Sequence, residues 1–135
     1  MINRLHNLFN MLGKWLILLF IIVTAVIFFF TLMPSDSVSN RMILSYDKIG
    51  HGLAFAAWTL SLALMLTYSF NKTPNFSMLL IYGLSFGLVT ETFQRLFPIN
   101  RAFEMLDIAA DLVGIVFAAM VFRWLISHLV KETTI

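Results

Sequence analysis

Glu91, Gln94, Arg95, Arg101, Glu104, Asp107 and Asp111 crowd into the stretch from Phe86 to Asp111, FGLVTETFQRLFPINRAFEMLDIAAD, in a chain that is otherwise mostly apolar. Asp47, Lys48 and His51 form a smaller group upstream. Carboxylates and an imidazole can move protons or ligate a divalent ion, and Lys and Arg can hold a phosphate or a carboxylate. A charged group near the middle of a bilayer costs several kcal/mol, so ionisable residues set among apolar ones mark functional positions. The plainer alternative is a buried hydrogen-bonded network that only fixes how helices pack.

The elements that would carry these residues are membrane spans. The chain has 135 residues, 60% hydrophobic and 12% charged, with a mean hydropathy of +0.89. Soluble domains have roughly 45–50% apolar and 25% charged residues. The length suits one domain over residues 1–135. A net charge of +2, with no basic patch interleaved with exposed aromatics, gives no sign of nucleic-acid binding. With no cysteine, disulfides, thiolate chemistry and Cys-ligated metals are excluded.

Four spans are expected, at about 15–33, 49–70, 76–94 and 105–124. Met1 to Lys14 reads as a short polar lead. The first span is longer than a signal-peptide core, and no small-residue cleavage site follows it, so it is expected to be retained. Pro34 to Lys48 reads as a loop, and Asn71 to Asn75 as a tight turn joining neighbouring antiparallel helices. Arg95 to Glu104 reads as a second loop, and Leu125 to Ile135 as a tail. Even-numbered crossing puts both termini on one side. That side holds Arg4, Lys14, Lys72, Arg123 and Lys131, against Arg41, Lys48, Arg95 and Arg101 on the other, which favours cytoplasmic termini. Asp36, Asp47, Glu91, Glu104, Asp107 and Asp111 then fall at the outer end, and Glu132 at the inner end.

Helical spacing gathers the polar groups. Gly83, Gly87, Glu91 and Gln94 form one stripe of the third span, and Asp107, Asp111, Gly114 and Ala118 one of the fourth. In the second, Asp47 and His51 share a face, with Gly50, Ala54, Ala57 and Ser61 as a small-residue stripe beside it. Small residues let membrane helices approach closely. The first span has no such stripe and is placed at the periphery. His51, Glu91 and Asp111 each lie about one turn inside the outer end of a different helix. Two helix starts, with their positive dipole ends, are expected to point into this corner. The expected fold is therefore an all-α, four-transmembrane-helix bundle with a polar pocket at its outer end.

Three function classes fit that pocket. In the first, Lys48, Arg95 and Arg101 contact the anionic headgroup of a lipid or cell-envelope molecule, Gln94 orients it, and His51, Glu91, Asp107 and Asp111 form the wall. The second is a membrane-embedded hydrolase or transferase acting on a lipid-linked phosphate or ester. There Glu91 or Asp111 serves as general base and His51 as acid or ligand. The third is a structural partner in an envelope complex. His51, Glu91 and Asp111 are also ligand types for a divalent metal, but no tight motif such as HExxH is present and no other cofactor is indicated. Ser35, Ser37, Ser45 and Ser61 cannot be coupled to His51 by spacing. Glu104 and Asp107 also suit the start of the fourth helix through its dipole.

The same residues carry a family resemblance. Asp47-Lys48 with His51 and Phe55, then Gly87, Glu91 and Gln94, then Pro98, Arg101, Asp107 and Gly114, follow the order K-x-x-H, G-x-x-x-E-x-x-Q, P-x-x-R, D-x-x-x-N-x-x-G. In this the chain resembles the VanZ-like family of small bacterial membrane proteins, over roughly Met33 to Ala119. The chain departs from the pattern at Asp111, where Asn is usual, and at Ala118, where Gly is expected. The resemblance implies a multi-pass protein of the bacterial inner (plasma) membrane. It also implies a connection to glycopeptide tolerance, since the family is named for a protein linked to low-level teicoplanin resistance.

Overall fold

A computed structural model describes residues 2–32, 41–97 and 105–132, with side chains described over 12–32, 48–97 and 105–128. Those residues form four helices: α1 (Ile2–Thr31), α2 (Arg41–Ser69), α3 (Phe76–Leu96) and α4 (Met105–Glu132). Each contains a segment long and apolar enough to cross a membrane: Leu12–Thr31, Lys48–Ser69, Phe76–Leu96 and Met105–His128. The outward faces are rich in large apolar side chains, among them Trp15, Phe29, Leu53, Ile81, Val113 and Phe117. Such a surface is far larger than the apolar patches that water-soluble monomers expose.

The helices outrun the spans. The polar lead is helical from Ile2, α2 begins at Arg41 inside the expected loop, and α4 continues through the expected tail to Glu132. Polarity ends a membrane span, but it does not end a helix. Arg41-Met42-Ile43-Leu44 and Leu125-Ile126-Ser127-His128 contain no Gly or Pro to break one. The turn after α2 has the expected chemistry. Asn71 takes the left-handed backbone (φ 53°) that Asn tolerates, Lys72 N–H donates to Leu66 O at 2.8 Å, and Asn75 caps α3 by accepting from Met78 N–H at 2.8 Å.

Helix α2 is the hub. It packs along α1 on one side and α4 on the other, while α3 packs mainly on α4 and only lightly on α2 and α1. The short turn therefore does not make α2 and α3 close neighbours, because α4 takes the intimate position. Among the described residues α1 does not touch α4, which fits its peripheral placement. One core layer joins α1 and α2 through Ile27, Trp58, Leu62 and Met65. A second joins α2, α3 and α4 through Ala63, Leu79, Ala119 and Phe122.

Glycines set the spacing. A Cβ on Gly114 would run into the Gly52 carbonyl oxygen, and one on Gly83 would sit 2.8 Å from Ile115 side-chain carbons. The small-residue face that meets α4 is thus Gly52 and Ala56, not the predicted row. Gly50 and Ala57 point outward, and a Cβ on Gly50 would meet no described atom of another turn or helix within 4 Å. The true face lies one residue, about 100° of rotation, to the other side of His51. Gly114→Ala is expected to lower stability by about 1–3 kcal/mol through overpacking, whereas Gly50→Ala leaves it unchanged or raised through better helix propensity. Thermal unfolding of the two variants in detergent checks this. Equal effects would contradict the packing.

Candidate functional site

Contacts between α2 and α4 pair Lys48 with Asp107, His51 with Asp111 and Gly52 with Gly114. These partners advance together along both chains, so α2 and α4 run parallel and start at the same end of the bundle. The close approach at Gly52 and Gly114 sits just below the polar pairs and brings the two backbones near enough for short side chains to meet.

The site is a line of ionisable groups across that contact. Lys48 Nζ donates to Asp107 Oδ1, making an ion pair. Asp107 Oδ2 lies 3.9 Å from His51 Nε2. On the other side of the ring, His51 Nδ1 and Asp111 Oδ1 are 2.9 Å apart. An ionised Asp111 accepts from Nδ1–H in this bond. Lys48 is the outer member, with 29% of its side chain exposed, and Asp111 the inner one, 1% exposed. The line therefore runs from a partly open end into the helix contact.

Helix α3 closes the third side. Gly83, Gly87, Glu91 and Gln94 are all buried, as their spacing predicts, and so are Asp107, Asp111, Gly114 and Ala118 on α4. A Cβ at Gly87 would stand 3.3 Å from Asp111 Oδ2 and 3.4 Å from the Phe55 ring, so the glycine admits both. Asp111 Oδ2 is itself buried and has no hydrogen-bond partner among the described residues. Glu91, 1% exposed, lies one turn along α3 from Gly87, and Gln94 lies in the turn beyond. Phe55, also 1% exposed, and Thr90, whose hydroxyl donates to Gly87 O at 2.8 Å, fill the space beneath.

Of the predicted site residues, Lys48, His51, Asp107 and Asp111 are joined directly. Glu91 and Gln94 are buried on the face of α3 that meets them. Arg95 is exposed in the last turn of α3, where a positive charge complements the helix dipole. Asp36, Arg41, Asp47, Arg101 and Glu104 have side chains outside the described residues. One expectation changes. Asp107 stands in the first turn of α4, but α2 begins at Arg41, about 15 Å before His51. Only one helix start therefore adjoins the polar line.

Among the described residues, no three His, Asp or Glu side chains are grouped so as to hold a metal ion. Sequence reasoning passed over Thr59, fully buried on α2 with no hydrogen-bond partner for its hydroxyl among the described residues. Its spacing of eight from His51 and four from Phe55 was the available signal. It also passed over Trp58, whose Nε1–H donates to Thr24 Oγ1 on α1 at 3.0 Å. No family model, curated protein or solved structure matches this chain.

The geometry makes His51 and Asp111 energetically dependent on each other. In a double-mutant cycle of His51→Ala and Asp111→Ala, unfolding should show a coupling of about 1 kcal/mol, the scale of hydrogen bonds between membrane helices. Additive effects would contradict the contact.

Proposed function

We propose that the chain is a multi-pass bacterial membrane protein of the VanZ-like kind that binds a lipid or cell-envelope molecule by its anionic headgroup at the end of the bundle where α2 and α4 begin. The observation that carries this reading is the gathering of the motif residues. Lys48, His51, Phe55, Gly87, Glu91, Gln94, Asp107, Asp111 and Gly114 all lie on the faces where α2, α3 and α4 meet, toward one end of the bundle. In this reading that end is the outer one and both termini are cytoplasmic.

Roles divide by charge. Asp107 already engages Lys48, so the lysine contributes to an anion together with a carboxylate rather than as an isolated cation. Direct contact falls mainly to Arg95 and Arg101, whose planar forks suit phosphate or carboxylate. Gln94 orients the bound group. His51, Glu91, Asp107 and Asp111 form a polar wall that offers acceptors to headgroup hydroxyls or amines.

A second reading draws on one feature. Asp111 holds His51 by Nδ1, an arrangement that fixes ring orientation, and Nε2 faces Asp107 Oδ2 at 3.9 Å. This suits a hydrolase or transferase acting on a lipid-linked phosphate or ester. A Glu91 or Asp111 base, with His51 as acid, is its chemical requirement.

Native mass spectrometry of protein released gently from its own membrane separates the two. Headgroup binding predicts a lipid or envelope precursor on the wild type that is lost from Arg101→Ala. A new trapped mass on Glu91→Gln, absent from the wild type, would replace binding by catalysis. Bare protein in every case would leave only a packing network.

A further inference from the structure

One acceptor of the polar line lies too deep for any bound molecule. Asp111 gives Oδ1 to His51, while Oδ2 turns toward α3, into the space that Gly87 leaves by having no Cβ, beside the Phe55 ring. That oxygen is buried and meets no donor among the described residues, and Asp111 as a whole is 1% exposed. An ionised carboxyl so placed lacks hydrogen bonds that would make up for the water it has lost. A metal ion or an ammonium would need a cavity there. A proton needs none.

The surrounding charges point the same way. On α2, Lys48 engages Asp107 and His51 engages Asp111. Gly83 approaches Ile115 and Gly87 approaches Asp111, so α3 runs antiparallel to α4 and Glu91 comes level with Asp107. Arg95 is exposed at the rim. Helix α1 brings no charge to this end. Its one described ionisable side chain, Lys14, follows Gly13, whose carbonyl accepts from Ser69 at the far end of α2. Between α1, α2 and α3 there is a mostly apolar groove, lined by Phe20, Trp58 and Phe86 among others. Among the described residues, three buried carboxyls, Glu91, Asp107 and Asp111, thus stand with one ammonium, Lys48. An anion arriving here meets like charge unless a cation comes with it.

We propose that an anionic headgroup is taken up at the polar end together with a proton, held by the His51–Asp111 pair. This rests on the headgroup reading and adds its regulation. With a single proton the pair is negative, His51 Nδ1–H donating to an ionised Asp111. With a second it is neutral, and the protons belong to the pair rather than to either residue. The pair is connected to the open end. The His51 side chain, 16% exposed, lies between Asp111 and Asp107, and Asp107 engages the 29%-exposed Lys48. The anion favours the neutral form of the pair, and the neutral pair admits the anion. Affinity therefore rises as pH falls, by up to about tenfold per unit while a full proton is taken up.

Isothermal titration calorimetry counts that proton. The full chain in a nonionic detergent is titrated with a short-chain phosphatidylglycerol at about pH 7, in PIPES and in Tris, whose heats of protonation differ. The phosphodiester keeps its charge through this range, so any proton gained on binding is the protein's. The wild type is expected to take up about one proton. Asp111→Asn keeps an acceptor for His51 but loses the acid, and is expected to take up little or none. It should also bind more tightly than the wild type in alkaline buffer, with the difference closing as pH falls, a gain that a damaged fold does not produce. Glu91→Gln leaves the pair intact and should keep the uptake. Binding by the wild type without proton uptake would overturn the coupling and leave the headgroup reading standing. Undiminished uptake in Asp111→Asn, or uptake lost in Glu91→Gln, would overturn the pair as the proton's seat. No binding to the wild type would remove the headgroup reading itself, and the coupling with it.

Discussion

The backbone contact between Gly52 and Gly114 is the constraint on which the rest depends. Asp and His side chains are short, so a hydrogen bond between His51 and Asp111 requires two helix axes unusually close together. Bulkier residues at 52 or 114 would separate α2 and α4 and draw the polar pairs apart. The same contact keeps α2 and α4 parallel and in register, which places Lys48 opposite Asp107. It also accounts for the arrangement of α3. Once α4 occupies the near face of α2, α3 is carried on α4 through Gly83 and Ile115, and the groove toward α1 is left behind.

Burying this many ionisable groups has a cost that the structure offsets in two ways. Lys48 and His51 lie against Asp107 and Asp111, and the first turn of α4 supplies a favourable dipole for Asp107. Buried pairs seldom add net stability over apolar residues of similar size, yet removing one partner is costly. A line of such groups is thus poorly explained by stability alone, since Gly, Ala and Leu would pack these helices more simply. That imbalance is the physical argument for a ligand at the polar end.

Much of the site was legible because helical periodicity is reliable where small and polar residues alternate with large apolar ones. The Gly83, Gly87, Glu91, Gln94 and Asp107, Asp111, Gly114, Ala118 stripes are both buried as spacing dictates. The face of α2 was harder to read. Gly50, Gly52, Ala54, Ala56 and Ala57 put small residues all round that helix, and only the three-dimensional partners distinguish Gly52 from Gly50. Helix ends were misjudged where polarity was taken for a break, as at Arg41 and Leu125. The groove had no signature at all. No spacing of Phe20, Trp58 and Phe86 marks the gap between them, which arises from how α3 is carried on α4.

The central claim is that the polar end binds a ligand rather than merely holding helices together. A ligand that binds only the folded protein raises its stability with concentration, by about 2.7 kcal/mol at a hundredfold excess over Kd. The direct measurement is the unfolding temperature of delipidated protein as an anionic lipid is titrated in, for the wild type beside Arg95→Ala and Arg101→Ala. A saturable rise is expected for the wild type and a smaller one, or none, for the arginine variants. An identical rise in all three proteins, or none in any, would contradict it.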